Sequence, residues 1–135
     1  MSDDNFTIKM NISKPLEDLL NDFSVIFKTA FLEYDFENEA AWIHGVSDEH
    51  KYINISREHD GDSRSSKKPL NINLYFYNYK DDRIENYKKL AEIISKHFDI
   101  VVYFGKNILN NKTEHEFVVL GNINPKIKTP SNKSL

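Results

Sequence analysis

Between Leu70 and Phe104 the apolar residues change period twice, and that switch limits the folds open to this chain more than any other feature. Leu70, Ile72, Leu74 and Phe76 alternate with Asn71, Asn73, Tyr75 and Tyr77, the two-residue period of a strand with one buried face. Asp82 with Glu85 then resembles a capping box with Asp in place of Ser or Thr. Ile84, Tyr87, Leu90, Ala91, Ile94 and Phe98 follow at three- and four-residue steps, the stripe of an amphipathic helix over 82–97. The run from Ile100 to Phe104 is continuously apolar and short, which predicts a strand buried on both faces and ended by Gly105. Strand, helix and strand in this order fit a right-handed crossover that places two parallel strands in one sheet.

The rest of the chain is read the same way. Phe6, Ile8, Met10 and Ile12 alternate with Thr7, Lys9 and Asn11, predicting a first strand. Ser13 reads as a helix N-cap with Pro15 in the first turn, and Leu16, Leu19, Leu20, Phe23, Ile26, Phe27 and Ala30 predict a helix ending near Phe31 or Leu32. Tyr34 to Glu39 reads as an acidic loop. Trp42, Ile43 and Val46 predict a short strand, Ser47, Asp48 and Glu49 a hairpin turn, and Tyr52 to Arg57 the returning strand. Residues 58–69 and 106–114 read as polar loops, and Phe117 to Leu120 as a last short strand. The expected fold class is α+β: a two-layer sandwich with a mixed sheet of five to six strands and two helices on one face, ferredoxin-like or related. Residues 1–121 form its single domain and 122–135 a loose tail carrying Pro125 and Pro130.

Charge is laid out unevenly along this frame. Residues 1–62 hold 14 Asp or Glu against 5 Lys or Arg, a balance of −9; the remainder balances at +6, giving the net −3. The excess is densest from Glu33 to Asp62, where nine acids face only Lys51 and Arg57. Such a strip repels nucleic acid and anionic membrane and attracts a basic surface. With no cysteine there is no disulfide, thiolate site or cysteine nucleophile, which fits a reducing compartment. The polar, acidic start is unlike a secretory leader, and no apolar run reaches the length of about 20 residues that spans a bilayer, so a cytoplasmic, membrane-free protein is expected.

Motifs of catalysis are sparse. Glu58-His59-Asp60-Gly61-Asp62 gathers metal-compatible side chains, but its spacing departs from the calcium-loop pattern, leaving a solvated or partner-binding loop as the stronger readings. No two of His44, His50, His59, His97 and His115 stand at the i, i+4 spacing of a zinc-protease helix. No G-x-S-x-G elbow is present, and four glycines in the whole chain cannot build a phosphate loop. No enzyme, metal site or cofactor is therefore expected. Tyr75, Tyr77 and Tyr79 point away from the face of Leu74 and Phe76, and Tyr52, Asn54 and Ser56 share their side by the same alternation. Two readings stay open: tyrosines that simply stabilise a sheet, or a half-polar aromatic interface.

The stretch LNINLYFYNYKDDRIENYKKLAEIISKHFDIVVYFG, the compact α+β length and the acids at Asp35–Glu39 and Glu58–Asp62 resemble the small acidic immunity proteins that bacteria pair with polymorphic or contact-dependent growth-inhibition toxins. That resemblance implies a stoichiometric inhibitor, often of a nuclease, covering the toxin's basic active-site cleft. The expected partner is a cognate basic toxin domain. Asp35, Glu37, Glu39, Glu58, Asp60 and Asp62 would meet its Lys and Arg, while Trp42, Tyr52, Tyr75, Tyr77 and Tyr79 would supply buried anchors. The alternative is a single-stranded RNA-binding module with a tyrosine-rich sheet face and a rim of Lys67, Lys68, Lys80, Arg83, Lys88 and Lys89. The missing RNP pattern and the isoelectric point of 5.9 count against nucleic acid as the partner.

Overall fold

A computed structural model describes residues 6–28, 30–37, 40–57, 69–76, 83–110 and 114–125. Seven strands and two helices alternate along them: β1 (Phe6–Met10), a 3-10 turn (Leu16–Leu19) running into α1 (Leu20–Ile26), β2 (Phe31–Glu37), β3 (Ala40–Val46), β4 (His50–Arg57), β5 (Leu70–Phe76), α2 (Arg83–Phe98), β6 (Val102–Asn110) and β7 (Glu114–Ile123). One sheet contains all seven in the order β2-β3-β4-β5-β1-β6-β7, and every neighbouring pair is antiparallel. The sheet is therefore larger than expected and has no parallel neighbours. β5 and β6 do run parallel to each other, as a crossover through α2 requires, but β1 lies between them and is antiparallel to both.

Alternation puts one residue in two on the helix-bearing face. Ile8, Met10, Ala41, Ile43, Ile53, Ile55, Leu70, Ile72, Leu74, Phe76, Val102 and Phe104 are buried there against Leu16, Leu19, Phe23, Ile26 and Phe27 from the first helical segment and Tyr87, Leu90, Ala91 and Ile94 from α2. Each fully buried aliphatic side chain contributes roughly 1.5–3 kcal/mol, so this single cluster carries most of the folding energy. The two helices meet through Phe23 and Phe98, with ring centroids 5.7 Å apart, and through His97 Nε2, 2.9 Å from Asp22 Oδ1. Tyr87 does a second job. Its hydroxyl accepts from the Leu74 amide at 2.9 Å and donates to the Leu74 carbonyl at 3.2 Å, beyond the Ile8–Ile72 end of the β1–β5 register. A helix side chain thus satisfies backbone groups that the ladder leaves open.

Three sequence expectations are corrected. The first helix is short: Pro15 precedes the 3-10 turn with no side-chain cap at Ser13, and helical backbone stops at Phe27, whose ψ is 82°. Asn21, Asp22, Ser24 and Val25 are weak helix formers, and the buried face is complete by Phe27. Phe31 to Glu37, expected as helix end and acidic loop, is instead strand β2, with Phe31 81% exposed. The third concerns the C-terminal strands. Val102 and Phe104 face the core, whereas Tyr103 is exposed on the other side, so β6 is buried on one face only. It continues through Gly105 to Asn110, and β7 runs to Ile123, past the expected boundary at 121. Gly105 lies inside the strand, and the position takes a glycine because a side chain has no room there: a Cβ would lie 2.2 Å from the Val118 carbonyl oxygen. No helix among the described residues is long and apolar enough to cross a membrane.

Candidate functional site

Strand registers assemble the face that carries no helix. On it Asp35 stands opposite Trp42, Glu33 opposite His44, Trp42 opposite Ser56, His44 opposite Asn54, Tyr52 opposite Tyr75, Asn54 opposite Asn73 and Ser56 opposite Asn71. Directly opposed residues share a face, so two acids, three aromatic rings and an imidazole project on one side of four adjacent strands. The rings form a chain: Trp42–His44 at 6.4 Å between centroids, His44–Tyr52 at 6.4 Å and Tyr52–Tyr75 at 5.7 Å, all tilted. Tyr75 is 50% and Tyr52 38% exposed.

The acids lie along the sheet edge. β2 is an outer strand, and Glu33, Asp35 and Glu37 occupy alternate positions on the ring-bearing side while Leu32 and Tyr34 turn towards the core. Asp35 Oδ2 is 3.6 Å from His44 Nε2, and Asp35 Oδ1 accepts from the Phe36 amide at 3.1 Å. His44 Nε2 is withdrawn from solvent without a hydrogen-bond partner, screened by the neighbouring rings. Among the described residues no Lys or Arg forms an ion pair with Glu33, Asp35 or Glu37, and none lies over the rings of Trp42, Tyr52 or Tyr75.

Of the expected site residues, Asp35, Glu37, Trp42, Tyr52 and Tyr75 are therefore brought to one region of one face. Glu39, Glu58, Asp60, Asp62, Tyr77 and Tyr79 lie outside the described residues. Sequence reasoning missed Glu33 and His44. Glu33 was accessible through the alternation of Phe31, Glu33, Asp35 and Glu37 with Leu32, Tyr34 and Phe36, which the assignment of an acidic loop obscured, and His44 through its two-residue spacing from Trp42 on β3.

A second arrangement lies on the core side of the sheet. In the β3–β4 turn the Ser47 hydroxyl accepts from the Glu49 amide at 3.2 Å and the His50 amide at 3.1 Å, and lies 2.9 Å from His50 Nδ1. With both lone pairs engaged by amides, Ser47 is left to donate its proton to Nδ1, which makes His50 the Nε2–H tautomer. Burial, which outweighs the neighbouring Glu49 carboxylate, holds the His50 pKa below its ordinary value. The ring is neutral near pH 7, edge-on to Phe27 and Phe76 at 6.0 and 4.8 Å. A cavity of about 480 Å³ opens beside it, lined by Ile26, Phe27, Leu74, Leu90 and Ile93 with Lys28 and Lys89. The hydroxyl is a turn clamp in this geometry, because a nucleophile needs a free lone pair aimed at substrate. Arg57 is likewise structural: it is buried, donates to the Lys14 carbonyl, and burial lowers its pKa. Among the described residues no group of three or more His, Cys, Asp or Glu side chains is placed to hold a metal ion.

Comparison with family models, curated proteins and solved structures finds no match to this chain.

Proposed function

We propose that this chain is a protein-binding inhibitor of the immunity type, which acts in the cytoplasm by laying the β2–β5 half of its open sheet face over the basic active-site cleft of a toxin domain, most simply a nuclease. One observation carries the reading: exposed rings and carboxylates share one face of β2–β5 and have no lysine or arginine of their own among the described residues. Half-exposed aromatics gain most when a partner desolvates them, and rim carboxylates steer a cationic partner into register. The order β4-β5-β1-β6, with α2 joining β5 to β6, is the ferredoxin-like arrangement, extended by the β2–β3 hairpin at one edge and β7 at the other. These additions widen the open face.

The test is growth rescue. Cells producing the polypeptide encoded next to this chain's gene should stop growing, resume growth when this chain is co-expressed, and fail to resume with the double variant Trp42→Ala/Tyr75→Ala. A harmless neighbour, or rescue that survives the double variant, contradicts the reading.

Single-stranded RNA is the second reading, favoured by the same rings and by Lys9 on the same face, opposite Asn71. Glu33 and Asp35 beside the rings oppose a phosphate backbone. Gel shifts with unstructured RNA at two salt concentrations separate the readings, because phosphate contacts give a steep salt slope.

A further inference from the structure

We infer that the strip Trp42–His44–Tyr52–Tyr75, with Glu33 and Asp35 alongside, is built to take arginine side chains of the docking protein in preference to lysine. This rests on the proposed docking face and names what that face reads.

Asp35 is the cross-strand partner of Trp42 and Glu33 that of His44. Neighbouring strands lie about 4.8 Å apart, and alternate residues along β2 are spaced by about 6.8 Å. Each ring on β3 therefore has a carboxylate one strand away, and the carboxylates repeat at the spacing of side chains on one side of an extended segment. A guanidinium is planar and weakly hydrated. It can lie on a ring face while its in-plane N–H groups reach a carboxylate beside that ring. An ammonium satisfies the ring or the acid, and it gives up a tighter hydration shell to do so.

The chain's own lysines meet rings elsewhere. Lys9 Nζ lies 5.0 Å from the centre of the Phe117 ring and Lys106 Nζ 5.5 Å from that of Phe6, rings with no acid opposite them in register. Local dryness points the same way: His44 Nε2 is shielded from water, and cation–π attraction strengthens as water is excluded.

Trp42 is the only tryptophan, so its fluorescence reports the strip directly. The intact chain is titrated with hexa-arginine, hexa-lysine and hexa-citrulline amides. The expected result is a response to hexa-arginine with a midpoint about fivefold or more below that of hexa-lysine, and none to hexa-citrulline. Glu33→Gln/Asp35→Asn should raise the arginine midpoint severalfold and bring it to the lysine value; both side chains are exposed, so the fold is not at stake. Lys9→Ala should leave it unchanged. Equal midpoints for arginine and lysine overturn the inference while leaving a cation-binding face in place. A response that the acid double variant or Tyr75→Ala does not weaken places the peptide elsewhere and also overturns it. Silence with every peptide overturns it too, and growth rescue then decides the docking reading on its own.

Discussion

The two ends of the open sheet face are built from similar residues and finished differently. At the β1–β6–β7 end, Lys9 covers Phe117, and Gly105 lets that ring close over the backbone, its Cζ being 3.0 Å from where a Cβ would stand. At the β2–β5 end, Trp42 and His44 stand opposite Asp35 and Glu33, Tyr52 and Tyr75 continue the row of rings on the next two strands, and no lysine or arginine covers them among the described residues. One end covers Phe117 with a lysine of its own while leaving Tyr103 37% exposed; the other holds rings and carboxylates together without a lysine or arginine among the described residues. A counter-group supplied by the fold ties a ring to stability; on the proposed reading, the rings and acids left without one are the docking surface.

The sharpest way to break this contrast is at Gly105. Alanine there drives a Cβ into the Val118 carbonyl, so Gly105→Ala should cost about 2–3 kcal/mol in urea unfolding by overpacking. The folded fraction should still bind its partner normally. Trp42→Ala and Tyr75→Ala should do the reverse. Each is expected to weaken the complex by about 2 kcal/mol, roughly 30-fold, in calorimetric titration, with less than about 1 kcal/mol lost from stability.

A pH experiment sharpens the contrast from the core side, because the turn that joins β3 to β4 is clamped by neutral His50. Its folded pKa lies below the ordinary 6.5. Above 6.5 both folded and unfolded forms are neutral and the contribution to stability is complete. As pH falls through 6.5 towards the lower folded value, the unfolded chain takes up a proton that the folded chain refuses, and stability drops. Unfolding free energies measured from pH 8 down to 5 should show this loss, and His50→Gln should flatten it. The smallest effect belongs to Lys9→Ala, which should cost about 0.5–1 kcal/mol of stability by removing one partly buried cation–π contact and leave binding untouched.

Much of the fold could be read in the sequence because most elements bury one face only, and such elements declare their period. β5, α2 and β1 lie where the alternation or the helical stripe puts them. The first helix was over-extended for the same physical reason. Ala30 and Leu32 continue the apolar spacing of α1, yet they pack on the core from the connection and from β2. Apolar periodicity reports burial, and two successive elements burying side chains in one core can mimic a longer one. Gly105 misled in another way: a glycine marks close backbone approach as readily as a strand end, and only the position of Val118 separates the two. The shared face of Tyr52 and Tyr75 followed from parity, since the His50/Tyr52 irregularity still leaves those tyrosines opposed. Pairing of Asp35 and Glu33 with Trp42 and His44 did not follow, because register between strands depends on the turn that joins them.

Ring resonances offer the most direct trial of the contrast between the two ends. The intact chain is followed by NMR as hexa-arginine amide is added, with the signals of Trp42, Tyr52 and Tyr75 at one end compared with those of Tyr103 and Phe117 at the other. Shifts concentrated on Trp42, Tyr52 and Tyr75, with Tyr103 and Phe117 unmoved, are the expected result. Shifts centred on Phe117 and Tyr103, or spread evenly over both ends, would contradict the assignment of binding to β2–β5.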